Sequence, residues 1–395
     1  MVTTGAAVRA DGVRQHNLSA VASLIHAHGA LSRADLTARL GLNRSTIGVL
    51  VSELCGLGVV AESRPHMRQG VGRPSHVVGP HPHGPYALAA DVDVDGVSMT
   101  AVGLGGRELS RCYTHLVSTA PERVAEQIAD MAKDMSAGSA MGWLAALGVS
   151  VPGTVSTDEE VVGLAPNLEW RDVELKRLLD ARLATGMHIR IGNDADLGVR
   201  AEHTRGAART FDNVLYIHGR TGIGGGIIAD GRPLHGTRGA AGEIGHMVVD
   251  QGGIRCHCGR RGCLETVIGE HHLVEQSGRS GDHADALHHL LTDPDPEPEA
   301  RSAIERACRW LAFGLTNAAT LLNPEVIVLG GYLAVLMQHY GSVVEGAFAE
   351  LSTPANAADV VLRPAGLGTN SALVGAGELA FERFLLDPTR PRPPG

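Results

Sequence analysis

Three of the six cysteines in this 395-residue chain, Cys256, Cys258 and Cys263, fall within eight positions. That crowding constrains the fold more than any other feature. Gly252, Gly253, Gly259 and Gly262 punctuate the same stretch, and glycines permit the sharp turns that let thiols so close in sequence converge. His246 lies upstream in Gly-Glu-Ile-Gly-His. Three thiolates and an imidazole complete a tetrahedron for zinc with no position left open, so the Zn2+ expected here is structural rather than catalytic. His257 could compete as a ligand, but points away if Cys256 and Cys258 both coordinate. The spacing does not suggest a disulfide framework and reads as metal chemistry in a reducing compartment. Cys55, Cys112 and Cys308 sit in apolar contexts and read as core residues.

The N-terminal segment MVTTGAAVRADGVRQ has no apolar run of signal-peptide type, and no stretch approaches the roughly 18 apolar residues of a membrane span. The expected location is cytoplasmic, with no membrane partner. Charge is unevenly placed. Residues 1–85 carry eight arginines against four carboxylates, a surplus of four on a chain of formal net charge −9, which leaves −13 for the remainder. A basic head on an acidic body suits a nucleic-acid-binding module joined to something else.

Three short helices can be read in that head. Leu18, Val21, Ala22 and Ile25 form one apolar stripe that ends near Gly29. Ser32 and Asp35 have the spacing of a capping box before Leu36 and Leu40, and Gly41 closes this second helix. Asn43 caps a third, whose core face is Ile47, Leu50, Val51 and Leu54. The link of about three residues predicts a helix-turn-helix. Arg44, Ser45 and Thr46 in the first turn of the third helix suit base edges and phosphates of double-stranded DNA. Val59–Ser63, a basic turn with Arg64, Arg68 and Arg73, and Val77–Val78 read as a β-hairpin wing, with Arg73 in Gly-Arg-Pro placed to enter a minor groove. Three small helices also occur in bundles that serve protein contacts; the caps, tight turn, wing and local charge together favour DNA. Gly48 inside the third helix fits neither reading unless another backbone approaches it there.

Gly79–Pro85, rich in Pro and Gly, reads as a hinge. Beyond it, strand-like runs at Tyr86–Val92, Val97–Val102, Leu144–Val151, Ile189–Ile191, Val214–Ile217, Gly225–Ile228, Val326–Leu329 and Val360–Leu362 alternate with amphipathic helices such as Pro121–Met135. This is an α/β pattern with strands buried on both faces.

Several motifs together resemble the ROK family of repressors, open-reading-frame proteins and sugar kinases. They are GEIGH at 242–246, CHCGRRGCLE at 256–265, VPGTV at 151–155, APNLEW at 165–170, NDAD at 193–196, TGIGGGII at 221–228 and NPEVIVLGG at 323–331. Family repressors also carry a winged helix of the LSRADLTARLGLNRSTI type, so the resemblance spans essentially the whole chain. It implies an actin-like (ribonuclease H-like) α/β body of two lobes with a ligand cleft, preceded by an all-α winged helix-turn-helix, in dimers or tetramers. The implied boundaries are a DNA-binding domain at 1–79, a linker at 80–85, a first lobe at 86–193 completed by 371–386, a second lobe with the zinc site at 194–370, and a disordered tail at 387–395. Asn193, Asp194, Glu243, His246 and Glu265 match the positions that hydrogen-bond sugar hydroxyls in the family. His246 would give one nitrogen to zinc and the other to the ligand.

Asp194 also matches the catalytic base of the family's kinases. Those kinases open their first lobe with Asp-x-Gly-Gly-Thr-Lys, where backbone N–H groups approach phosphate. Here the run is Asp91-Val-Asp93-Val94-Asp95-Gly96, and Arg220 precedes Thr221-Gly222 where glycine is usual. Carboxylates and a β-branched residue oppose a polyphosphate. The expectation is a DNA-binding regulator, a repressor of carbohydrate metabolism responsive to a sugar or sugar phosphate, and not an enzyme. The alternative is an ATP-dependent sugar kinase that uses Asp194.

Overall fold

The computed structural model describes residues 4–63, 76–137, 141–156, 158, 160–183, 186–278, 283–353 and 359–390. Helix α1 (Thr4–His28) buries the expected stripe of Leu18, Val21, Ala22 and Ile25, and begins well before it. After strand β1 (Leu31–Ser32) come α2 (Arg33–Leu40) and α3 (Arg44–Gly56). Ser32 and Asp35 form the reciprocal capping box, and Gly41 closes α2 at φ 65°. Asn43 caps α3 by accepting from Thr46 N at 2.8 Å. Strands β2 (Val60–Ser63) and β3 (Val77–Pro80) pair antiparallel, with β3 between β1 and β2. A small sheet thus joins the three helices, as a winged helix requires. The wing tip, with Arg64, Arg68 and Arg73, lies outside the described residues.

The expected hinge is a pinned turn. Gly79 and Pro80 belong to β3, opposite Ala61 and Val60. His81 N donates to Val59 O at 3.1 Å and Gly84 N to His81 O at 3.0 Å, and Pro85 already opens the next strand. Backbone pairing overrides the local Pro/Gly signal.

That strand, β4 (Pro85–Val92), is buried along its whole length and continues to β5 (Gly96–Gly103) and β6 (Arg107–His115). Helix α4 (Pro121–Ser136) and β7 (Trp143–Val151) follow, and then a small sheet of β8 (Thr154–Val155), β9 (Val162–Ala165) and β10 (Trp170–Val173). With α5 (Leu175–Leu183) and β11 (His188–Asn193), the first large sheet takes the order β11-β7-β4-β5-β6. The second begins after α6 (Asp194–Thr204) with β12 (Val214–Gly219), β13 (Ile223–Ala229) and β14 (Arg232–Pro233). Helices α7 (Glu265–Ile268), α8 (Glu270–Gln276), α9 (His283–Thr292) and α10 (Pro298–Leu322) lead to β15 (Val326–Gly331), α11 (Tyr332–Leu351), β16 (Val361–Pro364) and a C-terminal helix, Ser371–Leu386. This sheet runs β14-β13-β12-β15-β16. β12 and β15 pair in parallel and are buried at every position, as apolar runs covered on both faces must be.

Contacts divide the chain into two compact units rather than the three expected. The first is Met1–Ser150, Glu174–Ile191 and Ala376–Gly395; the second is Val151–Val173 and Gly192–Gly375. The N-terminal head groups with the first unit. Its Leu18, Val21, Ile25 and Leu54 share one core with Ala87, Leu104, Ala146, Phe381 and Phe384. Polar bonds reinforce the joint. Gly105 N donates to His26 Nδ1 at 3.1 Å, so Nε2 carries the proton and faces Glu378 Oε2, also at 3.1 Å, with both side chains buried. The boundary expected at 193 shifts as well, because Val151–Val173 packs with the second unit. The expected tail starts too early: Asp387 N still bonds Arg383 O, and Asp387 Oδ1 accepts from Thr389 N and Oγ1. Residues 391–395 lie outside the description.

Candidate functional sites

The four predicted metal ligands converge. One donor atom each from His246, Cys256, Cys258 and Cys263 lies within 4.8 Å of the others. Cys258 Sγ and Cys263 Sγ are 3.6 Å apart, as are Cys256 Sγ and His246 Nδ1. A zinc–sulfur bond of about 2.3 Å gives a tetrahedral edge of about 3.8 Å, so the donors fit the ion. Gly262 makes the closure possible: at φ 69° any Cβ would fall 1.4 Å from Asp250 O. Burial works against ionisation of Cys258, but hydrogen bonds from Arg260 and the neighbouring thiols draw it down to about 6. Burial instead pushes Cys263 up to about 12. His257 stays out of the donor set, as expected. Of the other cysteines, Cys308 is buried, whereas Cys55 and Cys112 are only half-buried.

His246 ends a short 3-10 turn, Ile244–His246, that carries Glu243 at its start. The approach of this turn to β13 requires glycine: a Cβ on Gly225 would sit 2.5 Å from Gly242 O. With Nδ1 toward the thiols, His246 Nε2 faces Glu243 Oε2 at 3.7 Å. Partial desolvation holds the Glu243 carboxyl above the usual range; His246 opposes this, while Asp196 and Glu265 add to it. Glu265 opens α7, and its Oε2 accepts from Ile223 N at 3.0 Å while Oε1 lies 3.8 Å from Cys256 Sγ. Metal loop, β13 and this carboxylate therefore form one construction.

Asn193 behaves differently from the expectation. Its Oδ1 accepts from Ala195 N and Asp196 N, and its Nδ2 donates to Gly153 O and Asp194 Oδ1. All four hydrogen-bonding positions of the amide are engaged. Asn193 caps α6 and orients Asp194, with no bond left over for a hydroxyl in this arrangement. Asn167 was missed. Its Nδ2 and Glu265 Oε2 both flank the space over Gly222, at 3.7 and 2.7 Å from where a Cβ would stand. The signal for it is the asparagine of the APNLEW motif.

In the head, the exposed face of α3 presents Arg44, Ser45, Val49 and Ser52, with Thr46 half-buried. Ser45 Oγ donates to Asn43 Oδ1 at 2.7 Å. The arginines separate by role. Arg14 is tied to Glu53 and Arg33 to Glu62, whereas Arg44 has no ion pair among the described residues. Val49, 65% exposed, was not anticipated. Its place four residues after Ser45, on the same exposed face, is the signal.

Comparison with known proteins adds four findings. The profile of the ROK family matches residues 90–383, beginning just after the head. A xylose repressor of Bacillus spizizenii is 30% identical over 366 residues, covering 90% of this chain and 92% of that protein. Among solved structures, a ROK family transcriptional regulator homologous to the E. coli MLC protein superposes with TM-score 0.79, at 24% identity, over 95% of this chain and 97% of that one. A ROK family glucokinase from Streptomyces griseus, solved with glucose and AMPPNP, gives TM-score 0.63 at 26% identity, over 75% of this chain and 98% of its own.

Proposed function

Because the chain belongs to the ROK family, we propose that it is a carbohydrate-responsive repressor that binds double-stranded operator DNA through its head. The observation that carries this reading is the similarity to a xylose repressor along 90% of the chain, where the glucokinase structure spans 75%. Arg44, Ser45 and Thr46 on α3 would read base edges, and Arg68 and Arg73 on the wing would meet the minor groove. Asp194, Glu243, His246 and Glu265, joined by Asn167, would hold sugar hydroxyls, with Asn193 fixing Asp194. His246, Cys256, Cys258 and Cys263 would hold zinc, which would supply a rigid anchor fixing the tautomer and orientation of His246. As a dimer or tetramer, the protein would place two heads on an inverted repeat. The sugar acts by binding the operator-matched and mismatched states unequally, since a ligand with equal affinity for both shifts nothing.

The first turn of the body supports a sensor rather than a kinase. Asp93 Oδ1 already accepts from Val94 N at 2.8 Å, and Asp93 N donates to Gly96 O at 2.9 Å. Backbone donors that a phosphate cradle would need are engaged by a carboxylate and a turn carbonyl. Selection from a random double-stranded pool, followed by affinity measurement with and without sugars, tests the reading. One inverted repeat should be enriched, and one carbohydrate should change its occupancy at least tenfold. Absence of any enriched sequence, or sugar-dependent ADP formation from ATP that Asp194→Asn abolishes, overturns it.

A further inference from the structure

A cavity of about 570 Å³ opens beside the hydroxyl-binding cluster, within the same unit. Asn167, Thr221 and Glu265 line one part of its wall, so it meets the proposed sugar site at the Glu265 carboxylate. Asp194, Glu243 and His246 do not line it. Beside the candidate ligand Cys256, the wall takes Arg255 and His257 from the metal loop, and Glu270, His271, His272 and Glu275 from α8, none of which has a binding role in the reading so far. His257 is therefore not an idle neighbour of two ligands. The metal loop that positions His246 on one site presents His257 to another.

Size and chemistry say what fits. A hexose ring has about a dozen heavy atoms, each smaller than a water's share of roughly 30 Å³, so one ring occupies less than about 360 Å³. The cavity takes a complete ring beyond whatever the hydroxyl cluster holds. Its charge disfavours an anion: Glu265, Glu270 and Glu275 stand against the one guanidinium of Arg255. A phosphate there would face three carboxylates. Burial keeps His272 below its ordinary value, so at neutral pH it offers one donor and one acceptor nitrogen. Carboxylates that accept, imidazoles that do both and an amide on Asn167 match vicinal hydroxyls.

We propose that this cavity receives the second sugar unit of a neutral disaccharide whose first unit is held by Glu243, His246 and Glu265. The proposal rests on the carbohydrate reading above and narrows it to an uncharged effector of two rings. His271 and Glu275 are exposed on α8, so replacing them tests the cavity with little demand on folding. Titration calorimetry of the full chain with glucose, xylose, cellobiose, maltose, xylobiose and glucose 6-phosphate supplies the readout. At least one disaccharide should bind tenfold or more tightly than its own monosaccharide. The double variant His271→Ala/Glu275→Ala should lose that gain while its monosaccharide Kd stays within twofold. Three results overturn the proposal and leave the sugar-sensor reading standing: a monosaccharide that binds with no disaccharide gain, tighter binding of the sugar phosphate, or equal loss of both affinities in the variant. Failure of every sugar to bind overturns both together.

Discussion

In the head, Arg44 owes its position to Asn43 immediately before it, whereas in the body Glu265 is held by Ile223, 42 residues away. The start of helix α3 is placed by caps and turns that close within three or four residues. The proposed hydroxyl cluster is placed by the Cys/His loop, a 3-10 turn and strand β13, all between residues 223 and 265. A cap of the first kind is set by its immediate neighbours in sequence. A site of the second kind depends on the core, and would depend on a bound metal, to hold its parts in register. The same contrast sets the expected sizes of the mutational effects.

The largest effect belongs to the metal loop. Cys263→Ser removes a fully buried donor, and structural zinc sites contribute on the order of 10 kcal/mol in small peptides. The variant should purify with substoichiometric zinc, unfold many degrees lower and lose carbohydrate binding. Cys55→Ser in the head alters a half-buried thiol outside any donor cluster and should cost only about 1 kcal/mol. Equal thermal stability of Cys263→Ser and the parent, with metal absent, would remove the supposed dependence of the body on its ion.

Next come two changes that should exchange their effects. Arg44→Ala is expected to weaken operator binding about ten- to hundredfold and leave sugar affinity alone. Glu265→Gln should weaken sugar binding by about 1.5–3 kcal/mol, the worth of a hydrogen bond to a charged group, and leave DNA affinity without sugar intact. Paired binding isotherms on both variants decide the matter. If Arg44→Ala moved sugar affinity as much as DNA affinity, the division of labour between the regions would be wrong.

Much of the head was legible because its signals are local. Ser32 and Asp35, Gly41 and Asn43 each act within one turn, and the structure forms every one of those caps. The metal ligands were legible for a similar reason, since three of the four lie within eight residues. What escaped were features decided by pairing partners. The Pro/Gly stretch reads as a hinge until β2 supplies a neighbour for Gly79 and Pro80. Nothing near His26 announces that Glu378, 352 residues on, completes its hydrogen bonds and fuses the head to the first unit. Asn193 carries a family motif, yet only Gly153 O and the α6 backbone reveal that its amide is already engaged.

Two buried histidines extend the comparison to pH. His26 in the head has a partner on each ring nitrogen. His218 in the second unit bonds Tyr216 through Nδ1, while its Nε2 has no partner among the described residues. Desolvation, helped by Arg220, holds His218 down to about 3 in the folded protein. An unfolded histidine titrates near 6.5, so the unfolded chain binds this proton first as pH falls. Stability due to neutral His218 is complete above about pH 6.5 and declines below it, approaching about 1.4 kcal/mol per pH unit. Unfolding of the second unit followed from pH 7 to pH 4 should show a shallower decline in His218→Phe than in the parent. Parallel curves would mean that other groups, including the metal donors, carry the whole acid response.

The smallest expected effect tests whether the head is shaped for something outside itself. Gly48 lies inside α3 without a positive φ, and a Cβ there would meet only Arg33 Nη1 at 3.5 Å, an ordinary contact. Replacing it with alanine should add about 1 kcal/mol of helix stability. Nothing among the described residues requires the glycine, whereas DNA passing close to the exposed face that carries Ser45 and Val49 would require it. Gly48→Ala should then raise the unfolding temperature by a few degrees, leave sugar affinity unchanged and weaken operator binding severalfold. A gain in stability with full retention of DNA affinity would show that the glycine marks no approach, and the docking face of α3 would have to be moved away from it.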